Sequence, residues 1–186
     1  WIIKNSVQYC LSNITANSLL YFPPPTLEQF NIYNKTLESP NINLYELLEG
    51  NIKNLKRLTN EHIDQIEDFI KNYHMSLKDA NKNIDLKLIS YMSKLFKADT
   101  FLFEIFIQGL KYYYKDILNL NLDRKDYSPT FKFLNDYDTQ SIDTKKFNYI
   151  DIIEEFEKDT LIKVNLDLSL FNLFHNLKIA AWKKFI

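Results

Sequence analysis

The stretch Asp99–Leu122, DTFLFEIFIQGLKYYYKDILNLNL, constrains the fold more than any other part of the chain. Phe101, Leu102, Phe103, Ile105, Phe106, Ile107 and Leu110 follow one another almost without a break. Tyr112, Tyr113, Tyr114, Ile117 and Leu118 extend the run. At about 3.6 residues per turn these side chains cover most of a helix's circumference. They leave one polar seam of Glu104, Gln108, Lys111 and Lys115. A helix apolar on nearly every side needs neighbours on nearly every side, so it belongs at the centre of a helical protein. Asp99 or Thr100 supplies the cap for its first amides. Gly109 costs about 1 kcal/mol against Ala inside a helix, and so marks a place where another element crosses closely.

Shorter helical patterns surround this one. Ile3, Val7, Cys10, Leu11 and Ile14 share a face, and that helix ends before Pro23-Pro24-Pro25, which removes amide donors and acts as a rigid elbow. Thr26 caps a segment with Leu27, Phe30, Tyr33 and Leu37 on one side, closed by Ser39-Pro40. Leu44, Leu47, Leu48, Ile52, Leu55 and Leu58 predict one amphipathic helix with Gly50 on its polar side. Thr59 or Asn60 caps the next, whose stripe is Ile63, Ile66, Ile70, Tyr73 and Leu77 and whose outer face is acidic. Leu88, Ile89, Met92, Leu95 and Phe96 mark a further helix leading into the central one, and Phe147, Ile150, Ile153 and Phe156 mark another beyond it. The terminal run Leu173, Phe174, Leu177, Ala181 and Phe185 is helical again.

Two stretches break the helical pattern. Asp123–Thr144 holds Ser128-Pro129, several Asp and Asn, and the alternating pair Phe131 and Phe133. So long a stretch without periodicity inside a domain is either a functional loop or an excursion pinned by its aromatics. Val164, Leu166, Leu168 and Leu170 alternate with Asn165, Asp167 and Ser169, which predicts a short strand with one buried face. Its partner is Thr130–Phe133 or, failing that, another chain. The fold class that follows is all-α: a single domain over residues 1–186, an irregular multi-helix bundle around a central buried helix at about 99–120, with at most one short β element. Only Gly50 and Gly109 are glycines, too few for a meander of tight hairpins. The first residue is Trp1, so a longer parent protein is expected.

Composition narrows the function classes. The formal net charge is −1 and Arg57 and Arg124 are the only arginines, so a phosphate-tracking nucleic-acid binder has no compositional support. Lys in place of Arg, with abundant Asn, Ile and Tyr, is what the codon bias of an AT-rich genome produces, as in several protozoan parasites. Cys10 is the only cysteine, which rules out an internal disulfide, favours an intracellular setting and reads as a small buried hydrophobe. The sequons at Asn13 and Asn34 are what chance gives in so Asn-rich a chain. No run is long and uncharged enough for a membrane span.

No residue set carries chemistry. His62 and His74 do not share a helix edge and read as surface or capping residues, and His175 beside Phe174 reads as a satisfied core histidine. Glu154, Glu155, Glu157 and Asp159 read as a solvated helix face. Tyr112, Tyr113 and Tyr114 point in three directions on a helix, so they are core and rim residues instead of a base-stacking platform. There is no glycine-rich phosphate loop, CxxC pair or nucleophile elbow, and no cofactor or metal site is expected. Glu104–Leu110 locally resembles the middle helix of histone-fold subunits of the nuclear factor Y type, and Phe147–Val164 resembles their third. The connecting stretch is too long for that family and the basic DNA-facing residues are lacking, so no membership follows.

The reading that remains is a non-enzymatic protein–protein interaction or scaffold domain within a larger assembly, with a protein partner. Tyr127, Phe131, Phe133, Tyr137, Val164, Leu166 and Leu168 are the expected contact residues, because aromatics serve as binding hot spots and an unpaired strand invites strand addition. On this expectation, replacing Phe131 and Phe133 leaves the fold intact. Two alternatives stand beside it. One is a helical enzyme or enzyme subunit with a pocket between helices that holds His175 or Glu104. The other is a secreted or surface helical protein of a protozoan parasite that binds a host factor.

Overall fold

The computed structural model describes residues 25–34, 42–78, 85–122, 124, 127–136, 149–161 and 165–182. Among these, eight α-helices run in order: α1 Leu27–Tyr33, α2 Leu44–Leu47, α3 Ile52–Arg57, α4 Asn60–Lys78, α5 Leu86–Ala98, α6 Thr100–Asn121, α7 Tyr149–Leu161 and α8 Leu166–Trp182. A short 3-10 helix spans Lys132–Asp136, and the one β feature among the described residues is an isolated antiparallel bridge between Ile42 and Phe131. The chain is an all-α bundle. The first expected helix, Cys10, Asn13, Tyr137 and Val164 lie outside the described residues.

Helix α6 is the centre, for the reason its composition dictates. Phe101, Leu102, Ile105, Phe106, Ile107, Leu110, Tyr113, Tyr114 and Ile117 are all buried. Helices α2, α4, α5 and α7 pack against its different sides. The Asp99 carboxylate accepts from the amides of Phe101 at 2.9 Å and Leu102 at 3.1 Å, which closes the first turn. Gly109 sits at a crowded crossing: a methyl there would meet Phe131 Cζ at 3.4 Å, Ile66 Cγ2 at 3.5 Å and Leu47 Cδ1 at 3.8 Å.

The single helix expected over residues 44–58 is two. Helix α2 stops after one turn because Glu49 and Gly50 both take positive φ, 51° and 68°. The Gly50 amide turns back to the Tyr45 carbonyl at 2.9 Å. Asn51 then caps α3, its side-chain oxygen accepting from Lys53 N at 3.0 Å and Asn54 N at 3.2 Å. A Gly-Asn pair is a stop followed by a start, and the leucine spacing across it concealed the break.

The expected strand is a helix from Leu166 onward. Its alternation spans too few residues to outweigh the helical spacing of Leu170, Leu173, Phe174, Leu177, Ala180 and Ala181, all of them buried. Asn165 starts the helix, its side chain accepting from Asp167 N at 3.1 Å. The segment that was to pair with it pairs elsewhere. Phe131 bridges Ile42, and Asn43 N donates to the Thr130 carbonyl at 2.7 Å.

Helices α7 and α8, joined by a short connection, pack extensively against each other. Helix α7 also lies against α6, and α8 also lies against α5 and α4. Helix α8 therefore occupies the groove between α5 and α7.

Candidate protein-interaction surface

Many polar groups on and beneath α6 are held in structural pairs. Along the α6 seam, Glu104 meets Arg57 at 3.9 Å, Gln108 donates to Glu49 at 3.0 Å, Lys111 pairs with Glu157 at 2.7 Å and Lys115 with Glu46 at 3.3 Å. These tethers join α6 to α3, to α2 with its following turn, and to α7, although pairs so exposed add little stability.

Asp116, fully buried on α6, anchors the segment leading to the 3-10 helix. One carboxylate oxygen accepts from the Tyr127 hydroxyl and the other from Phe131 N at 3.1 Å. Burial raises its pKa above the usual carboxylate range, against the opposing pull of the Tyr127 hydroxyl and the Thr130 and Phe131 amides. Burial likewise pushes the hydroxyls of Tyr73, Tyr113 and Tyr114 well above the ordinary tyrosine value. Tyr73 and Tyr114 share a hydrogen bond, and Tyr149 stacks on Tyr114 with ring centroids 4.0 Å apart. These tyrosines stay neutral and knit α4, α6 and α7 together.

The histidines occupy three different settings. His62 is a capping residue, as expected: its Nδ1 accepts from Thr59 N at 3.2 Å while His62 N donates to Thr59 Oγ1 at 3.2 Å, a capping box with His in the usual Glu position. That assignment leaves Nε2 as the donor to Asp99 at 2.8 Å, a link between the starts of α4 and α6. Both ring nitrogens are thus engaged. For Asp99, burial opposes the charge, but the Leu102 amide, the His62 ring and the Phe101 amide together hold the carboxyl below its ordinary range. His74 is not at the surface; it is wholly buried, with Nδ1 2.9 Å from the Tyr113 hydroxyl. His175 is not in the core; it lies exposed on α8, stacked on Phe171 with ring planes 8° apart. Among the described residues no three His, Cys, Asp or Glu side chains gather as a metal site requires, and no helix is long and apolar enough to cross a membrane.

A cavity of about 290 Å³ opens between α1, the Ile42–Tyr45 segment and Lys132. Asn31, Asn34 and Asn43 line it, and the side-chain oxygen of Asn34 is enclosed. Neither His175 nor Glu104 borders the cavity, and no acid–base pair faces it.

The surface feature with binding chemistry is the outer face of α8. The bundle buries Leu170, Leu173, Phe174, Leu177, Ala180 and Ala181 on one side of this helix, and the remaining sides mix apolar residues with Asp167, Asn172, His175, Asn176 and Lys178. Opposite the buried face, Leu168 is 53% exposed, Phe171 37% and Ile179 43%. With His175 they line up at three- and four-residue spacing into one ridge, which the exposed Asn172 and Asn176 border. Scattered exposed leucines need no explanation, whereas an ordered apolar ridge is a candidate for interaction.

The expected contact residues divide accordingly. Leu168 stands on the ridge, and Leu166 is partly buried against the core. Phe131 and Phe133 point inward and are buried, and Tyr127 is half-buried with its hydroxyl on Asp116. The aromatics of this loop therefore pin it to the bundle, and replacing Phe131 and Phe133 disturbs the fold instead of sparing it. Phe171, His175 and Ile179, the other members of the ridge, did not stand out in the sequence because residues 164–170 read as a strand. The signal was present in the count of apolar residues on α8, more than one buried face requires. No family model, curated protein or solved structure matches the chain.

Proposed function

We propose that this chain is a non-enzymatic protein–protein interaction domain that works through the outer face of α8. The observation that carries the reading is the exposed ridge of Leu168, Phe171 and Ile179 on α8. Apolar side chains held on a rigid helix at this spacing lose little freedom on binding and bury area in register with a partner. The interior polar groups support the same reading. His62 has both ring nitrogens bonded, Asp116 is bonded through both oxygens, and the seam of α6 is tied up in structural pairs.

The test is affinity purification of the full-length protein, wild type against a Leu168→Asp/Phe171→Asp double variant. Both positions are solvent-facing, so the variant keeps its helical circular dichroism. Partners lost from the variant alone support the reading, whereas an unchanged set of co-purifying proteins refutes it.

A further inference from the structure

We draw no further inference here: the strongest candidate, the exposed apolar face of α8 with Leu168, Phe171 and Ile179, is the surface already taken up in the proposed function, and nothing in the structure shows what covers it.

Discussion

Phe106→Ala is the sharpest check on the architecture. Its ring is fully buried and touches three others from three different helices: Phe96 of α5 with centroids 4.9 Å apart, Phe69 of α4 at 6.2 Å and Phe174 of α8 at 6.2 Å. Losing the ring removes about 1.5–3 kcal/mol of burial. The cavity left behind adds to this, because three helices anchored elsewhere cannot all close on one gap, and Phe→Ala in cores costs about 3–5 kcal/mol in total. The site belongs in the upper half of that range. Phe103 provides the internal control: it is only partly buried, with its ring against Phe96 at 5.4 Å and Phe156 at 5.9 Å. Phe103→Ala should cost about half as much, roughly 1–2.5 kcal/mol. Urea denaturation followed by circular dichroism measures both, provided the slopes with denaturant agree. A cost below about 1 kcal/mol for Phe106→Ala, or one no larger than for Phe103→Ala, refutes the central placement of α6.

The two glycines should respond oppositely to Ala. At Gly50, with φ at 68° and Tyr45 Cε2 only 3.1 Å from the added methyl, Gly50→Ala destabilises by about 1–2 kcal/mol in thermal or urea melts. At Gly109 the nearest atoms stand at ordinary contact distance, so Gly109→Ala gains up to about 1 kcal/mol of helix propensity. Gly109→Val has no room beside Phe131 and loses stability in the same assay. Replacing Phe131 and Phe133 together with Ser should lower stability by several kcal/mol, about 3 or more; an unchanged melt contradicts their burial. Stability against pH should show two carboxyls of opposite sign. The folded-state pKa of Asp99 is depressed, so its contribution is present above the unfolded value of about 3.9 and is lost as pH falls through the folded value. That of Asp116 is raised, so its contribution is full below about 3.9 and is lost as pH rises through the folded value. Asp99→Asn should therefore flatten the acid limb, and Asp116→Asn the decline toward neutral pH. Urea midpoints that move the same way for both variants contradict the assignment.

What could be read from residue types was set by how local the deciding interaction is. The centre of the bundle was legible because a long run of Phe, Ile and Tyr around one helix admits no other place for itself. The Asp99 cap was legible because the cap and its amides lie within three residues. The break at Gly50 was less so, since Leu47, Leu48, Ile52 and Leu55 keep a helical spacing across a chain reversal. The role of Asp116 was hidden altogether. A carboxylate on a helix becomes an anchor only when Tyr127 and Phe131 fold back onto it, and spacing along the chain does not encode that return. Burial of His74 against Tyr113 and exposure of His175 against Phe171 are likewise tertiary outcomes, and the neighbours in sequence pointed the wrong way in both.

Helix α8 shows why the surface was harder to read than the core. Alternation over Val164–Leu170 and helical spacing over Leu166–Ala181 are compatible with the same leucines, because positions two and four apart coincide at every second step of a strand. The longer pattern prevails, since each added turn brings further hydrogen bonds and another buried residue, while a strand without a paired edge gains neither. Once the segment is helical, Leu166 and Leu170 turn inward and Leu168 outward, beside Phe171 and Ile179. Asn172, His175 and Asn176 share the exposed side of the helix with them. On the proposed reading, covering that ridge with a partner is favourable because it removes apolar area from water.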